Sequence, residues 1–175
     1  MKNNKIIVAV LIVVIASGLA VYVRYSTTKN ISSISEPVTP SAVVLYDNTE
    51  YGFTFSLPDT WKGYSVIKNT WEGNPLIATS IKETGIKLIV RNPKWTPNLP
   101  YEDIPILIFT VAQWDSYVAG NFAISAAPIE AIELARNNLY VFALPPRWDF
   151  DYSEGHQEAQ DIVASRPIKA YFLQQ

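Results

Sequence analysis

The sequence contains no cysteine and a single histidine among its 175 residues. Without cysteine the chain has no disulfide, no thiol nucleophile, no cysteine-ligated zinc or iron–sulfur centre and no cysteine for lipid attachment. One histidine leaves few ways to build a histidine-based catalytic or metal site. The sequence therefore indicates no cofactor, and it favours a protein that is not an enzyme.

Positive charge is also scarce, with 14 Lys and Arg residues against 16 Asp and Glu residues and a net charge of −2. Proteins that bind nucleic acid need clustered Lys and Arg to contact phosphates and release counterions. No such cluster occurs in the chain. We therefore expect no nucleic-acid partner.

One long hydrophobic run is present, at residues 6–23, and it contains no charged side chain. As a helix these residues span roughly 27 Å, close to the ~30 Å hydrocarbon core of a bilayer. We expect a short N-terminal tail at residues 1–5 and a transmembrane anchor or uncleaved signal at residues 6–24. A cleaved signal peptide is the alternative, because small residues at positions 16–18 and 18–20 resemble cleavage sites.

The charges are divided unevenly along the chain. Residues 1–43 carry a net charge of +3, whereas residues 44–175 carry −5. Residues 25–43 are rich in Ser, Thr and Pro, which predicts an extended tether. The basic N-terminal side favours a cytoplasmic N-terminus. We therefore expect a single-pass protein of the cell membrane whose C-terminal domain, residues 44–175, is extracytoplasmic.

The periodicity of residues 44–175 predicts several strands and a few helices. Apolar residues alternate through positions 51–57, and continuous apolar runs at 106–112 and 140–144 are typical of buried strands. Residues 76–82 and 86–90 suggest a hairpin across 83–85, and residues 92–105, which hold four prolines, suggest a long surface loop. Helices are expected at 113–121 and from Ser153 to about 165, while residues 122–135 fit a helix or a strand.

These segments predict an α+β domain with a mostly antiparallel sheet of six or seven strands and helices packed on it. The segment Tyr51-Gly52-Phe53-Thr54-Phe55-Ser56-Leu57-Pro58, followed by Trp61-Lys62, resembles the opening hairpin of the Mog1/PsbP-like superfamily. That resemblance implies an α-β-α sandwich. Family members assist photosystem II or bind a small GTPase, and no motif in this chain carries over either role.

Three aromatic residues in turn-like sequence, Trp71, Trp95 and Tyr101, form the candidate partner-binding surface. Large apolar rings in such segments either tuck back onto the protein or contact a partner. The sequence thus predicts a non-catalytic domain for protein interaction or ligand binding, with an accessory role. Its partners would be the membrane, through residues 6–23, and an unidentified protein or small molecule.

The densest polar cluster lies at residues 147–156 and includes the candidate metal ligands Asp149, Asp151 and Glu154. Asp149, Asp151 and Ser153 match the first, third and fifth positions of a calcium loop. However, Gly falls at the seventh position rather than the sixth, and Gln160 occupies the twelfth, where a bidentate Glu is needed. The alternative function is a carboxylate-dependent hydrolase with its site near residues 149–154.

Overall fold

The computed structural model describes residues 43–79, 81–126, 129–148 and 153–174. Ser41–Gln175 forms one compact unit. The expected membrane segment at residues 6–24 and nearly all of the tether at 25–43 lie outside the described residues. Within the described ranges, no helix is both long enough and apolar enough to span a membrane.

The described chain forms two antiparallel sheets. The strands and helices are β1 (Val43–Asn48), β2 (Phe53–Pro58), β3 (Ser65–Pro75), β4 (Glu83–Arg91), β5 (Ile104–Thr110), α1 (Val111–Val118), β6 (Phe122–Ala123), β7 (Ile132–Arg136), β8 (Tyr140–Leu144), α2 (His156–Ala164) and β9 (Ile168–Ala170). A 3-10 helix at Asp59–Trp61 follows β2. The strand order is β1-β2-β9 in the smaller sheet and β6-β3-β4-β5-β8-β7 in the larger sheet.

The main core lies between the two sheets. The alternating residues of β2 place Phe53, Phe55 and Leu57 inward, and all three are almost completely buried. The Phe53 ring centroid lies 4.6 Å from that of Phe142 in β8. Helix α2 contributes Ala159 and Ile162 to the same core. Burial of one face of the smaller sheet explains why period-2 alternation predicts β2.

The opposite face of the larger sheet is covered by α1. Thr110 and Gln113 form a capping box that begins this helix, in which each side chain accepts from the other residue's backbone N–H. The Trp114 ring packs edge-on against Phe109, with 5.3 Å between the ring centroids. Because β5 is covered on both faces, it reads as a continuous apolar run.

The predicted fold class is wrong. The sequence predicts one sheet between helical layers, as in an α-β-α sandwich, whereas the described chain is mostly β and has two α-helices. The sequence predicts a single sheet, but three strands form a separate sheet, β1-β2-β9, over one face of the larger one. This sheet packs where a second helical layer was expected, since its residues Phe53, Phe55, Leu57 and Ile168 share one buried core with residues of the larger sheet.

Two local predictions also differ from the structure. The expected turn at 83–85 is the start of β4, and the described residues 76–79 and 81–82 lie between β3 and β4 instead. Helix α2 is capped by Gly155 in a left-handed conformation, not by Ser153. The ambiguous segment 122–135 contains β6 and all but the last residue of β7 in its described residues. The predicted strand at 76–82 was wrong because the apolar residues at 76, 77 and 81 are exposed and do not pack in the core.

Asn137, in the turn between β7 and β8, links the two sheets. Its Nδ2 donates to the backbone oxygen of Tyr51 at 2.8 Å. Its Oδ1 accepts from the backbone N–H groups of Leu139 and Tyr140, both at 2.9 Å. One amide side chain therefore fixes its own turn and holds the β1–β2 turn against the larger sheet.

Candidate functional site

The loop between β4 and β5, residues 92–103, is closed at its base by an ion pair. Arg91 Nε donates to Asp103 Oδ2 at 3.0 Å, and the two side chains are 28% and 16% exposed. The other carboxylate oxygen of Asp103 accepts from the backbone N–H of Asn92 at 3.0 Å. Partial burial reduces solvent screening, so this pair holds the loop ends together more firmly than an exposed pair would.

Asn92 organises the first turn of the loop from a buried position. Its Oδ1 accepts from the backbone N–H of Lys94 at 2.9 Å, and its backbone oxygen accepts from the N–H of Trp95 at 3.0 Å. Asn side chains commonly form such turns, since the short amide reaches the backbone two residues on. The loop therefore leaves β4 in a defined conformation.

Two aromatic rings in this loop each carry a cation on one face. The guanidinium carbon of Arg91 lies 3.9 Å from the Trp95 ring centroid, and Lys94 Nζ lies 5.6 Å from that of Tyr101. Cations are attracted to the negative face of an aromatic ring. Leu99, at the far end of the loop, is 52% exposed. We call Arg91, Lys94, Trp95, Leu99 and Tyr101 the aromatic-loop surface.

The loop is tied to the segment that precedes α2. Tyr101 forms a parallel bridge with Glu154, and the N–H of Glu102 donates to the Glu154 backbone oxygen at 2.8 Å. The Ser153 hydroxyl donates to the Glu102 carboxylate. The structure thus brings together Tyr101 and Glu154, which sequence reasoning assigned to separate candidate sites.

Gly155 allows this close packing. Its φ is +81°, and a Cβ atom at this position would lie 2.9 Å from Cδ1 of Tyr101. A side chain here would both strain the backbone and press on the ring. Because residue 155 has no side chain, the Tyr101 ring can pack closely against the backbone there.

Trp71 lies elsewhere and is not on the surface. It is 5% exposed, its Nε1 donates to the Ile108 backbone oxygen at 2.9 Å, and its ring centroid is 4.5 Å from that of Phe109. β3 continues to Pro75, so Trp71 occupies an inward strand position and not a turn. The structure places Trp95 and Tyr101 in one loop but separates Trp71 from them.

The acidic candidates fall partly outside the described residues. Asp149 and Asp151 lie there, whereas Glu154 is described and exposed. Among the described residues, no group of three or more His, Asp or Glu side chains is arranged to hold a metal ion. His156 Nδ1 lies 3.2 Å from the backbone oxygen of Ser153. His156 thus contacts the peptide oxygen of Ser153, whereas the Ser153 hydroxyl donates to Glu102.

Sequence reasoning missed four residues that shape this site: Arg91, Asn92, Lys94 and Asp103. The available signal was their position, because Arg91 and Asp103 flank the proline-rich segment at its two ends. Opposite charges at the two ends of a loop can form an ion pair that holds the loop ends together. The stacking of Arg91 and Lys94 depends on loop conformation, which the sequence pattern does not specify.

Comparison with protein-family models, with curated proteins and with solved structures found no match for this chain. The resemblance to the Mog1/PsbP-like superfamily therefore stays a prediction.

Proposed function

We propose that this protein is a membrane-anchored, extracytoplasmic, non-catalytic interaction domain that binds a protein partner through the aromatic-loop surface. The observation that carries this proposal is the fixed presentation of Trp95 and Tyr101 beside Arg91 and Lys94 on one closed loop. Trp, Tyr and Arg are the residue types that most often dominate the binding energy of protein interfaces.

The rigidity of the loop supports this function. The Arg91–Asp103 pair, the Asn92 turn and the Tyr101–Glu154 bridge all restrict the loop before any partner arrives. A surface held in its binding conformation loses little conformational entropy on association. Loops on a rigid scaffold are a common location for binding residues.

The membrane location is part of the proposal and rests on residues 6–23. Protease added to intact cells tests the topology, with an epitope tag at the C-terminus as the readout. We expect digestion of the tagged domain in intact cells that have one membrane. Protection in intact cells combined with digestion after lysis would place the domain in the cytoplasm and overturn this part.

The partner surface is tested by placing a photoreactive amino acid at position 99 in living cells. A matched position is Ile77 in the β3–β4 turn, which has similar exposure, 48% against 52% for Leu99. We expect one discrete adduct from position 99 and none of that mass from position 77. Adducts from position 77 but not from position 99 would place the interface at the β3–β4 turn and contradict the proposed surface.

Once the cross-linked protein is identified, its affinity for the purified full chain gives the decisive measurement. We expect Trp95→Ala to weaken binding by about thirtyfold, the effect of losing roughly 2 kcal/mol at an interface hot spot. Phe172→Ala is the control, since Phe172 is 73% exposed and lies outside this loop. Equal losses in the two variants would contradict the proposal.

The alternative, a carboxylate-dependent hydrolase, is separated from this function by the same protein preparations. Asp151→Asn would abolish turnover of ester, glycoside or phosphate substrates and leave partner affinity unchanged. Trp95→Ala would leave turnover unchanged and weaken the affinity for the partner.

A further inference from the structure

A groove opens between β2 and α2, on a different part of the domain from the aromatic loop. β1 pairs with Ser56–Pro58 on one edge of β2, whereas β9 pairs only with residues 53–55, so the other edge of Ser56–Pro58 has no strand beside it. On that edge the Ser56 N–H donates to the backbone oxygen of Pro167, at 3.0 Å. The early end of the β2–β9 pairing leaves a cavity of about 510 Å³.

The floor of this groove is apolar. Leu57 and Ile162 lie at its base and are 1% and 6% exposed, while Val43 at its mouth is 66% exposed. Pro58 completes this apolar lining. The exposed surface of the groove is mainly apolar, and a volume of this size with such a lining is typical of sites for small molecules.

The rim of the groove carries negative charge on one side. Glu158 and Asp161, three residues apart on α2, both line it. Glu158 Oε1 accepts from the Thr60 hydroxyl at 2.5 Å, and Asp161 Oδ1 accepts from the Gln157 amide at 3.0 Å. These bonds orient the two carboxylates, and the described lining residues include no Lys, Arg or His.

From this combination we infer that the groove binds a small apolar molecule that carries one amine or ammonium group. The apolar part lies against Leu57 and Ile162, and the cation lies at the carboxylates of Glu158 and Asp161. An anionic ligand of the same shape is disfavoured, because both carboxylates repel it. This site is independent of the proposed partner surface.

The test uses the full chain in lipid nanodiscs at neutral pH, with empty nanodiscs as the reference for partitioning into lipid. Isothermal titration compares 4-phenylbutylamine, a cation, with 5-phenylpentanoate, an anion of similar shape. We expect the amine to bind and the carboxylate to bind at least about fivefold more weakly. Absence of amine binding at millimolar concentration, or equal binding of the two probes, overturns the inference.

The site is located with charge-removing variants. Glu158→Gln combined with Asp161→Asn is expected to weaken amine binding by about twofold to tenfold and to reduce the preference over the carboxylate. The control is Glu72→Gln combined with Asp115→Asn, which changes the net charge equally at exposed positions outside the groove. If the control weakens amine binding as much as the groove variant does, the effect is one of overall charge and the inference fails. Thermal unfolding checks that each variant folds, and the single variant Glu158→Gln replaces the double one if needed.

Discussion

The guanidinium carbon of Arg91 lies 3.9 Å from the Trp95 ring centroid, while Arg91 Nε donates a hydrogen bond to Asp103. One side chain thereby closes the loop and presents the ring. Arg91 thus connects Asp103 to the Trp95 ring. Loop stability and surface presentation are therefore coupled.

This coupling predicts the effect of Asp103→Ala. The variant loses the ion pair with Arg91 and the hydrogen bond from the Asn92 N–H, so we expect a loss of about 1–3 kcal/mol in the free energy of unfolding. Urea denaturation followed by circular dichroism measures it. Glu72→Ala is the control, because its pair with Lys82 is exposed and should cost less than about 1 kcal/mol. Equal costs would show that the Arg91–Asp103 pair does not hold the loop.

The two tryptophans of the predicted partner surface should respond differently to truncation. Trp71→Ala leaves a cavity in the core and the Ile108 oxygen without its indole partner, and should cost about 3–5 kcal/mol. Trp95→Ala removes a partly exposed ring and one cation–π contact, and should cost about 1 kcal/mol or less. Urea unfolding midpoints of the two variants give the comparison. A larger loss for Trp95→Ala would contradict the burial of Trp71.

The close approach of Gly85 to Trp71 gives a second test of this packing. A Cβ atom on Gly85 would lie 2.4 Å from Cε2 of Trp71, so Gly85→Ala should destabilise the protein by about 1–3 kcal/mol. In the background of Trp71→Leu the ring atoms that clash are removed. We expect the cost of Gly85→Ala to fall there by at least about 0.5 kcal/mol in a double-mutant cycle. Simple additivity would mean that the two residues do not touch.

Glu133 makes a small part of the stability dependent on pH. Its hydrogen bond and ion pair with Arg136 lower the pKa of the Glu133 carboxyl from the ordinary value of 4.5. A depressed folded-state pKa adds stability above the unfolded pKa, and this stability is lost as the pH falls through the lower folded value. The pair is partly exposed, so its contribution is about 1 kcal/mol or less.

The measurement is the difference in unfolding free energy between the wild type and Glu133→Gln. We expect this difference to favour the wild type at pH 7 and to shrink steadily below about pH 4.5. A difference that stays constant down to pH 2 would show that the Arg136 contact does not depend on the charge of Glu133.

Several strands were predictable because their residues alternate or are continuously apolar. Phe53, Phe55 and Leu57 identify β2, and the apolar residues of β5 and β8 identify the centre of the larger sheet. The turn after β3 was misplaced because Leu76, Ile77 and Ile81 are apolar and yet exposed. Hydrophobic periodicity indicates which residues tend to be buried, and it mispredicts structure where apolar residues are exposed in a turn.

The candidate site was only partly predictable for a similar reason. Trp95 and Tyr101 were identified as aromatic residues in turn-like sequence, and both lie on the aromatic-loop surface. Trp71 satisfied the same criterion, but the extension of β3 to Pro75 turns its ring into the core. Arg91 and Asp103 were missed because their pairing spans 12 positions.

The sequence by itself determined the absence of cysteine chemistry, the separation of a basic N-terminal part from an acidic C-terminal part, and the strands whose residues alternate. Tertiary structure alone decided the division into two sheets, the burial of Trp71, the meeting of Tyr101 with Glu154 and the groove beside α2. The physical reason is the distance along the sequence between the residues that make contact. Composition and periodicity reflect the preferences of neighbouring residues, whereas these four features depend on contacts between segments far apart in the chain.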